Sequence, residues 1–167
     1  GRNQASPIGS TTNTELYDGT NWTETTEVNQ DRFALCGAGT STAMLIAGGR
    51  SPTPPAGRNN VESWNGSSWT ETTEIGTARA YLSGNGTQTS MIIAGGSVPP
   101  TSDAVEVWNG SAWTEVNEIN TARIYAGFFG GASSASNSVY AGGYSTTSIS
   151  DSETWDGTNW TEGSELN

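Results

Sequence analysis

The side chains able to do chemistry in this 167-residue chain are 17 carboxylates, 6 basic groups that are all arginine, 5 tyrosines and one thiol. Histidine and lysine are absent. Without imidazole there is no Ser-His or Cys-His nucleophile pair, no general base poised near neutrality and no His-ligated metal. Without lysine there is no Schiff-base amine and no Walker-type phosphate loop. Carboxylate pairs flanking a glycosidic bond would be the remaining catalytic device. No spacing marks such a pair, and no Asp-rich calcium loop occurs. The expectation is therefore a non-enzymatic protein with no catalytic residue, no cofactor and no metal. Cys36 lies in the apolar stretch Phe33-Ala34-Leu35-Cys36 and reads as a buried, inert thiol.

The bulk properties narrow the partners. A net charge of −11 opposes nucleic acid and anionic membranes, both of which need a basic footprint. No apolar run approaches the roughly 18 residues of a membrane span. Only 32% of residues are apolar and 22 are glycine, yet 7 tryptophans are spread along the chain. Disordered segments are poor in aromatics, so a folded, turn-rich β protein is expected.

Self-similarity organises the chain. Leu45-Ile46-Ala47-Gly48-Gly49 returns as Ile92-Ile93-Ala94-Gly95-Gly96 and as Val139-Tyr140-Ala141-Gly142-Gly143, at intervals of 47 residues. A second marker, Glu15-Leu16-Tyr17-Asp18-Gly19-Thr20-Asn21-Trp22-Thr23-Glu24, recurs from Glu62, Glu106 and Glu153. Arg32, Arg79 and Arg123 open successive units. Each unit reads as four short strands. Small residues after the arginine (33–39, 80–86, 124–129) suit a crowded innermost strand, and the apolar run into Gly-Gly forms the second. The third and fourth make a hairpin around Asp-Gly or Asn-Gly, expected as a two-residue turn with positive φ at both positions.

Residues repeated in every unit serve the unit. Arg32, Arg79 and Arg123 are expected to pair with Glu62, Glu106 and Glu153, and Trp22, Trp69, Trp113 and Trp160 to form core between units. The loops between second and third strands vary instead: 50–60, 97–104 and 144–151. The loop 130–137 is also longer than its counterparts. Variable loops on a fixed scaffold make a binding surface, and Arg50, Arg58, Asp103 and Tyr144 are the candidate ligand contacts.

The apolar run with Gly-Gly, the Glu-x-aromatic, the following Trp-Thr and the opening arginine together resemble the kelch repeat of β-propellers. The shorter hairpin is similar to kelch-like arrays of marine phage and bacterial surface proteins. The resemblance implies an all-β, kelch-like β-propeller built of four-stranded antiparallel blades. Residues 30–76, 77–120 and 121–167 would be three complete blades, preceded by an outer half-blade at 1–29. That count implies part of a larger or oligomeric propeller, through a longer parent chain or self-association. The expected function is a non-enzymatic, extracellular or virion-surface recognition module whose loops bind a glycan or surface protein. The alternative is a structural protein whose blades stack between chains into an oligomer or fibre.

Overall fold

The computed structural model describes residues 2–3, 9–52, 57–97, 99–130 and 135–167. All its regular elements are short antiparallel strands, with no helix among the described residues. Strands β1 (Arg2–Asn3) and β2 (Gly9–Ser10) pair with each other, as do β3 (Thr14–Tyr17) and β4 (Trp22–Thr25). Three four-stranded sheets follow, each a meander in chain order. The first holds β5 (Cys36–Thr40), β6 (Ala43–Ala47), β7 (Val61–Trp64) and β8 (Trp69–Thr72). The second holds β9 (Ser83–Thr87), β10 (Ser90–Ala94), β11 (Val105–Trp108) and β12 (Trp113–Val116). The third holds β13 (Gly127–Gly130), β14 (Ser138–Ala141), β15 (Ser152–Trp155) and β16 (Trp160–Glu162). These are blade-like sheets set face to face.

Strand alternation decides the packing, because successive side chains leave opposite faces. Cys36, Leu45, Ala47 and Val61 leave the first sheet toward Met91, Ile93 and Trp108 of the second. The other face of the second sheet sends Ile92, Ala94 and Val105 against Tyr140 and Trp155 of the third. Each face is too small to exclude water alone, so each sheet depends on its neighbour.

The paired glycines set how closely the sheets approach. Gly49 and Gly96 donate their N–H groups to the carbonyls of Arg79 and Arg123 in the following unit, both at 2.9 Å. A Cβ on Gly95 would lie 2.5 Å from the Arg123 carbonyl oxygen and 2.3 Å from the Tyr140 hydroxyl, and its φ of +66° already disfavours a side chain.

Three expectations are corrected. The first strands begin later, at Cys36, Ser83 and Gly127, because Ala34, Tyr81 and Tyr125 take φ values of 55°, 59° and 60° and break the extended path. Phe33, Ala80 and Ile124 instead make isolated bridges to Arg50, Ser97 and Tyr144. The hairpins are not two-residue turns. Tyr17 faces Trp22 and Trp64 faces Trp69, leaving four residues in each loop, of which only the glycine has positive φ. The residue before that glycine works through its side chain: Asp18 Oδ1 accepts the N–H groups of Thr20 and Asn21 at 2.8 and 2.7 Å, and Asn65, Asn109 and Asp156 repeat the pattern.

The third correction, on the tryptophans, is partial, since Trp113 and Trp160 do pack against the buried clusters between sheets, as expected. Those before the turn, Trp64, Trp108 and Trp155, are the buried ones. Trp69, Trp113 and Trp160 are half-buried on the outermost strands, which have a neighbour on one edge only, and Trp22 is 67% exposed. Each still tilts over the ring before its turn, at centroid distances of 5.1–5.3 Å. Trp113 and Trp160 also donate Nε1–H to the carbonyls of Thr73 and Asn117 in the preceding unit, at 3.1 and 2.9 Å.

Candidate functional site

The residues that break the first strands also line an open hollow at one end of the sheets. In the left-handed conformation Tyr81 turns its N–H to the Ala34 carbonyl at 2.8 Å, and Tyr125 turns its N–H to the Tyr81 carbonyl at 3.3 Å. The chain thereby hydrogen-bonds sideways, from unit to unit, rather than within its own sheet. Holding a non-glycine residue there costs about 1–3 kcal/mol, which the surrounding sheets must offset. The result is a row of rings. Tyr81 packs edge-on to Phe33 at 6.5 Å and to Tyr125 at 5.0 Å. Beneath them lies a concavity of about 460 Å³, lined by Phe33, Leu35, Leu82, Ser83 and the two tyrosines. Tyr125 is 62% exposed at its rim.

A smaller hollow of about 80 Å³ shares Tyr81 and brings in Arg50, Ser97, Pro99 and Ile124. The bridges from Phe33, Ala80 and Ile124 tie the variable loops to this same end of the sheets. Phe33, Tyr81, Tyr125 and Arg50 thus border two hollows that share Tyr81. They can stack on the C–H face of a sugar ring, donate to hydroxyls and meet a carboxylate.

The four loop residues picked from the sequence do not gather at one point. Arg50 is exposed and lines the smaller hollow beside Tyr81. Tyr144 is 44% exposed, and its backbone pairs with Ile124. Arg58 is half-buried and tied inward, with Nη2 donating to Ser51 Oγ at 2.9 Å and its N–H to the Gly49 carbonyl. Asp103 is half-buried at the other side of its loop, where its carbonyl accepts the Ile119 N–H. Residues 53–56 and 98 of the variable loops, and 131–134 of the longer loop, lie outside the described residues. So do residues 1 and 4–8 of the N-terminal segment.

The repeated arginines and glutamates hold the scaffold beneath this face. Arg32 reaches Glu62 at 2.5 Å, Arg79 reaches Glu106 at 2.7 Å, and Arg123 pairs with Glu153. All six side chains are buried. In each unit the other terminal nitrogen, Nη1, donates to two backbone carbonyls, Gly95 and Ala104 in the case of Arg79. Each glutamate uses its second oxygen to accept an N–H from the connector arriving from the previous unit: Asn29, Gly76 and Asn120, at 2.8, 2.7 and 2.8 Å. One ion pair therefore closes a sheet and fastens the chain that leads into it. The glutamates face Glu71, Glu115 and Glu162 across the hairpins, so the guanidinium also offsets a like-charge pairing.

Protonation follows burial. The Cys36 thiol is pushed up to about 12 by burial, so no thiolate is available near neutrality. Tyr140 is likewise raised, chiefly by burial, and Arg32 is lowered by burial against the pull of Glu62. None of these groups offers a reactive centre at the concave face.

Sequence reasoning missed Tyr81 and Tyr125. They stand two residues after the unit-opening arginines, but the first unit has Ala34 there, so no aromatic periodicity marks the position. The usable signal was a pair of tyrosines at the same repeat position, next to the bridge that ties down the variable loop. Comparison of the chain with protein-family models and with curated proteins returns no match.

Proposed function

We propose that this chain is a non-enzymatic recognition module of the kelch-like propeller type that binds a glycan at the face carrying Tyr81 and Tyr125. The single observation behind this reading is the row of aromatic rings over a concavity of about 460 Å³, a size suited to one or two sugar rings. Arg50 at the margin supplies a cation for an acidic or hydroxyl-rich ligand. The lysine-free, Ser/Thr-rich composition and the variable loops fit a protein displayed outside the cell or on a virion. A glycan array with the labelled chain tests it. Binding to a defined saccharide set, lost in Tyr81→Ala and reduced in Arg50→Ala, is expected. No binding, or binding indifferent to both changes, would reject the reading.

A second reading, assembly between chains, is favoured by one feature. Among the described residues β3 and β4 form a sheet of two strands, whereas their counterparts in later units sit in sheets of four. Sedimentation of the chain over a concentration series tests it, with concentration-dependent oligomers expected and a lone monomer throughout as the adverse result.

A further inference from the structure

The sequence holds three Asn-Gly pairs, Asn65-Gly66, Asn85-Gly86 and Asn109-Gly110, and the fold treats them unequally. Glycine has no side chain to shield its own nitrogen, so in each pair that nitrogen is the nearest nucleophile to the asparagine side-chain carbonyl carbon. Asn65 and Asn109 are exposed and stand just past β7 and β11, where the hairpin turns begin. The N–H groups of Gly66 and Gly110 donate no hydrogen bond among the described residues. Asn85 lies inside β9 instead. It faces Ile92 of β10, and its Nδ2 donates to Ser138 Oγ at 3.1 Å. Asn85 is half-buried and Gly86 is buried.

The two turns also aim donors at the carbonyl that would be attacked. Asn65 Oδ1 accepts the N–H groups of Ser67 and Ser68 at 3.0 and 2.9 Å, and the Ser67 hydroxyl at 3.0 Å. Asn109 Oδ1 accepts the N–H groups of Ser111 and Ala112 and the Ser111 hydroxyl, each at 2.9 Å. Donors so placed polarise the carbonyl and hold the negative charge that gathers on its oxygen during attack, as an oxyanion hole does. Among the described residues the Asn85 side chain makes only its bond to Ser138.

We propose that Asn65 and Asn109 are self-modifying sites that lose their amide nitrogen through attack by the following glycine, while Asn85 is kept intact by its strand. The Gly66 nitrogen bonds to the Asn65 side-chain carbonyl carbon and gives its proton to hydroxide. The bond to Nδ2 breaks, ammonia leaves, and a succinimide ring is closed. Water then opens the ring at one of its two carbonyls, which leaves aspartate or diverts the main chain through the side chain as isoaspartate. Asn109 and Gly110 react in the same way, and each event adds one negative charge. The aspartate product has a ready place, since Asp18 and Asp156 stand at the same turn position and accept the same two N–H groups. Isoaspartate lengthens the backbone by one carbon and displaces the residues after it. Those residues fasten one unit to the next, because the Ser67 and Ser111 carbonyls accept the hydroxyls of Thr26 and Thr73 at 2.8 and 3.1 Å. Ring closure needs the glycine nitrogen to swing onto the side chain, which inside β9 requires the ladder to open first. None of this depends on the glycan or the assembly reading.

Peptide mass mapping of the whole chain kept in mildly alkaline buffer tests the proposal, with the same chain in urea beside it. In the folded chain, a gain of one mass unit at Asn65 and Asn109 is expected at least about tenfold faster than at Asn85. In urea the three sites should convert alike, since no strand then protects Asn85. Methyl transfer from S-adenosylmethionine by an isoaspartyl methyltransferase should report isoaspartate at the two turns. Equal rates at all three sites of the folded chain would overturn the proposal. So would turns that stay unmodified while the chain in urea converts, because the bonds to Oδ1 would then guard the amide rather than activate it.

Discussion

Arg79 and Glu106 meet at 2.7 Å inside the second four-stranded sheet, and the same carboxylate takes the N–H of Gly76 from the incoming connector. The pair is buried, so its charges are poorly screened and its partners are costly to remove one at a time. Arg79→Met is expected to destabilise the chain by about 3–5 kcal/mol, because it strands the Glu106 carboxylate in the interior. The double variant Arg79→Met with Glu106→Leu should recover a large part of that loss. Denaturant melts of the single and double variants check this. A single variant as stable as the parent would remove the fastening role assigned to the pair.

Gly95 and Gly142 share a repeat position and nearly the same φ, +66° and +68°. They differ in what stands beyond them. A Cβ on Gly95 meets the Arg123 carbonyl and Tyr140 of the next unit, whereas one on Gly142 comes no closer than 3.3 Å to Leu166. Gly142→Ala should therefore cost only the left-handed backbone term, about 1–2 kcal/mol. Gly95→Ala should cost about 1–3 kcal/mol more, from forcing apart two packed sheets. Thermal melts of the two variants measure the difference, and equal losses would mean that the units do not lean on each other there.

Much of this was legible in the sequence. Markers repeating at 47 and 44 residues placed the strands and the ion-pair residues, since a residue that serves every unit must recur in every unit. What recurrence cannot encode is where a face ends. Trp22 repeats like the other tryptophans, yet it is 67% exposed, whereas Trp113 and Trp160 reach the preceding unit through Nε1–H bonds to Thr73 and Asn117. The aromatic face was hidden for the opposite reason. Ala34 stands where later units have Tyr81 and Tyr125, so no aromatic periodicity marks the position, and none of the three is a glycine that would announce its left-handed backbone. The turns were placed correctly but with the wrong geometry, because Asp-Gly and Asn-Gly also suit a four-residue loop in which the side chain accepts two N–H groups.

The hairpin turns contain an internal comparison of charge. Asp18 and Asp156 accept two backbone N–H groups each, and these bonds, from Asn21 with Thr20 and from Asn159 with Thr158, hold both carboxyls below the ordinary value of 3.8. Asn65 and Asn109 make the same bonds without a charge. Because the folded pKa is depressed, the contribution of the two aspartates is fully present above 3.8 and is lost as pH falls through the lower folded value. Amide NMR over an acid titration should show the N–H groups of Thr20, Asn21, Thr158 and Asn159 moving while those of Ser67, Ser68, Ser111 and Ala112 stay still. Uniform movement in all four turns would contradict the assignment.

The proposed glycan site is tested most directly by ring-proton NMR of the chain titrated with the best saccharide from the array. Shifts concentrated on the Tyr81 and Tyr125 rings, saturating together, are expected, with the tryptophans Trp69, Trp113 and Trp160 unmoved. Saturable shifts confined to the tryptophans, with both tyrosine rings silent, would contradict it.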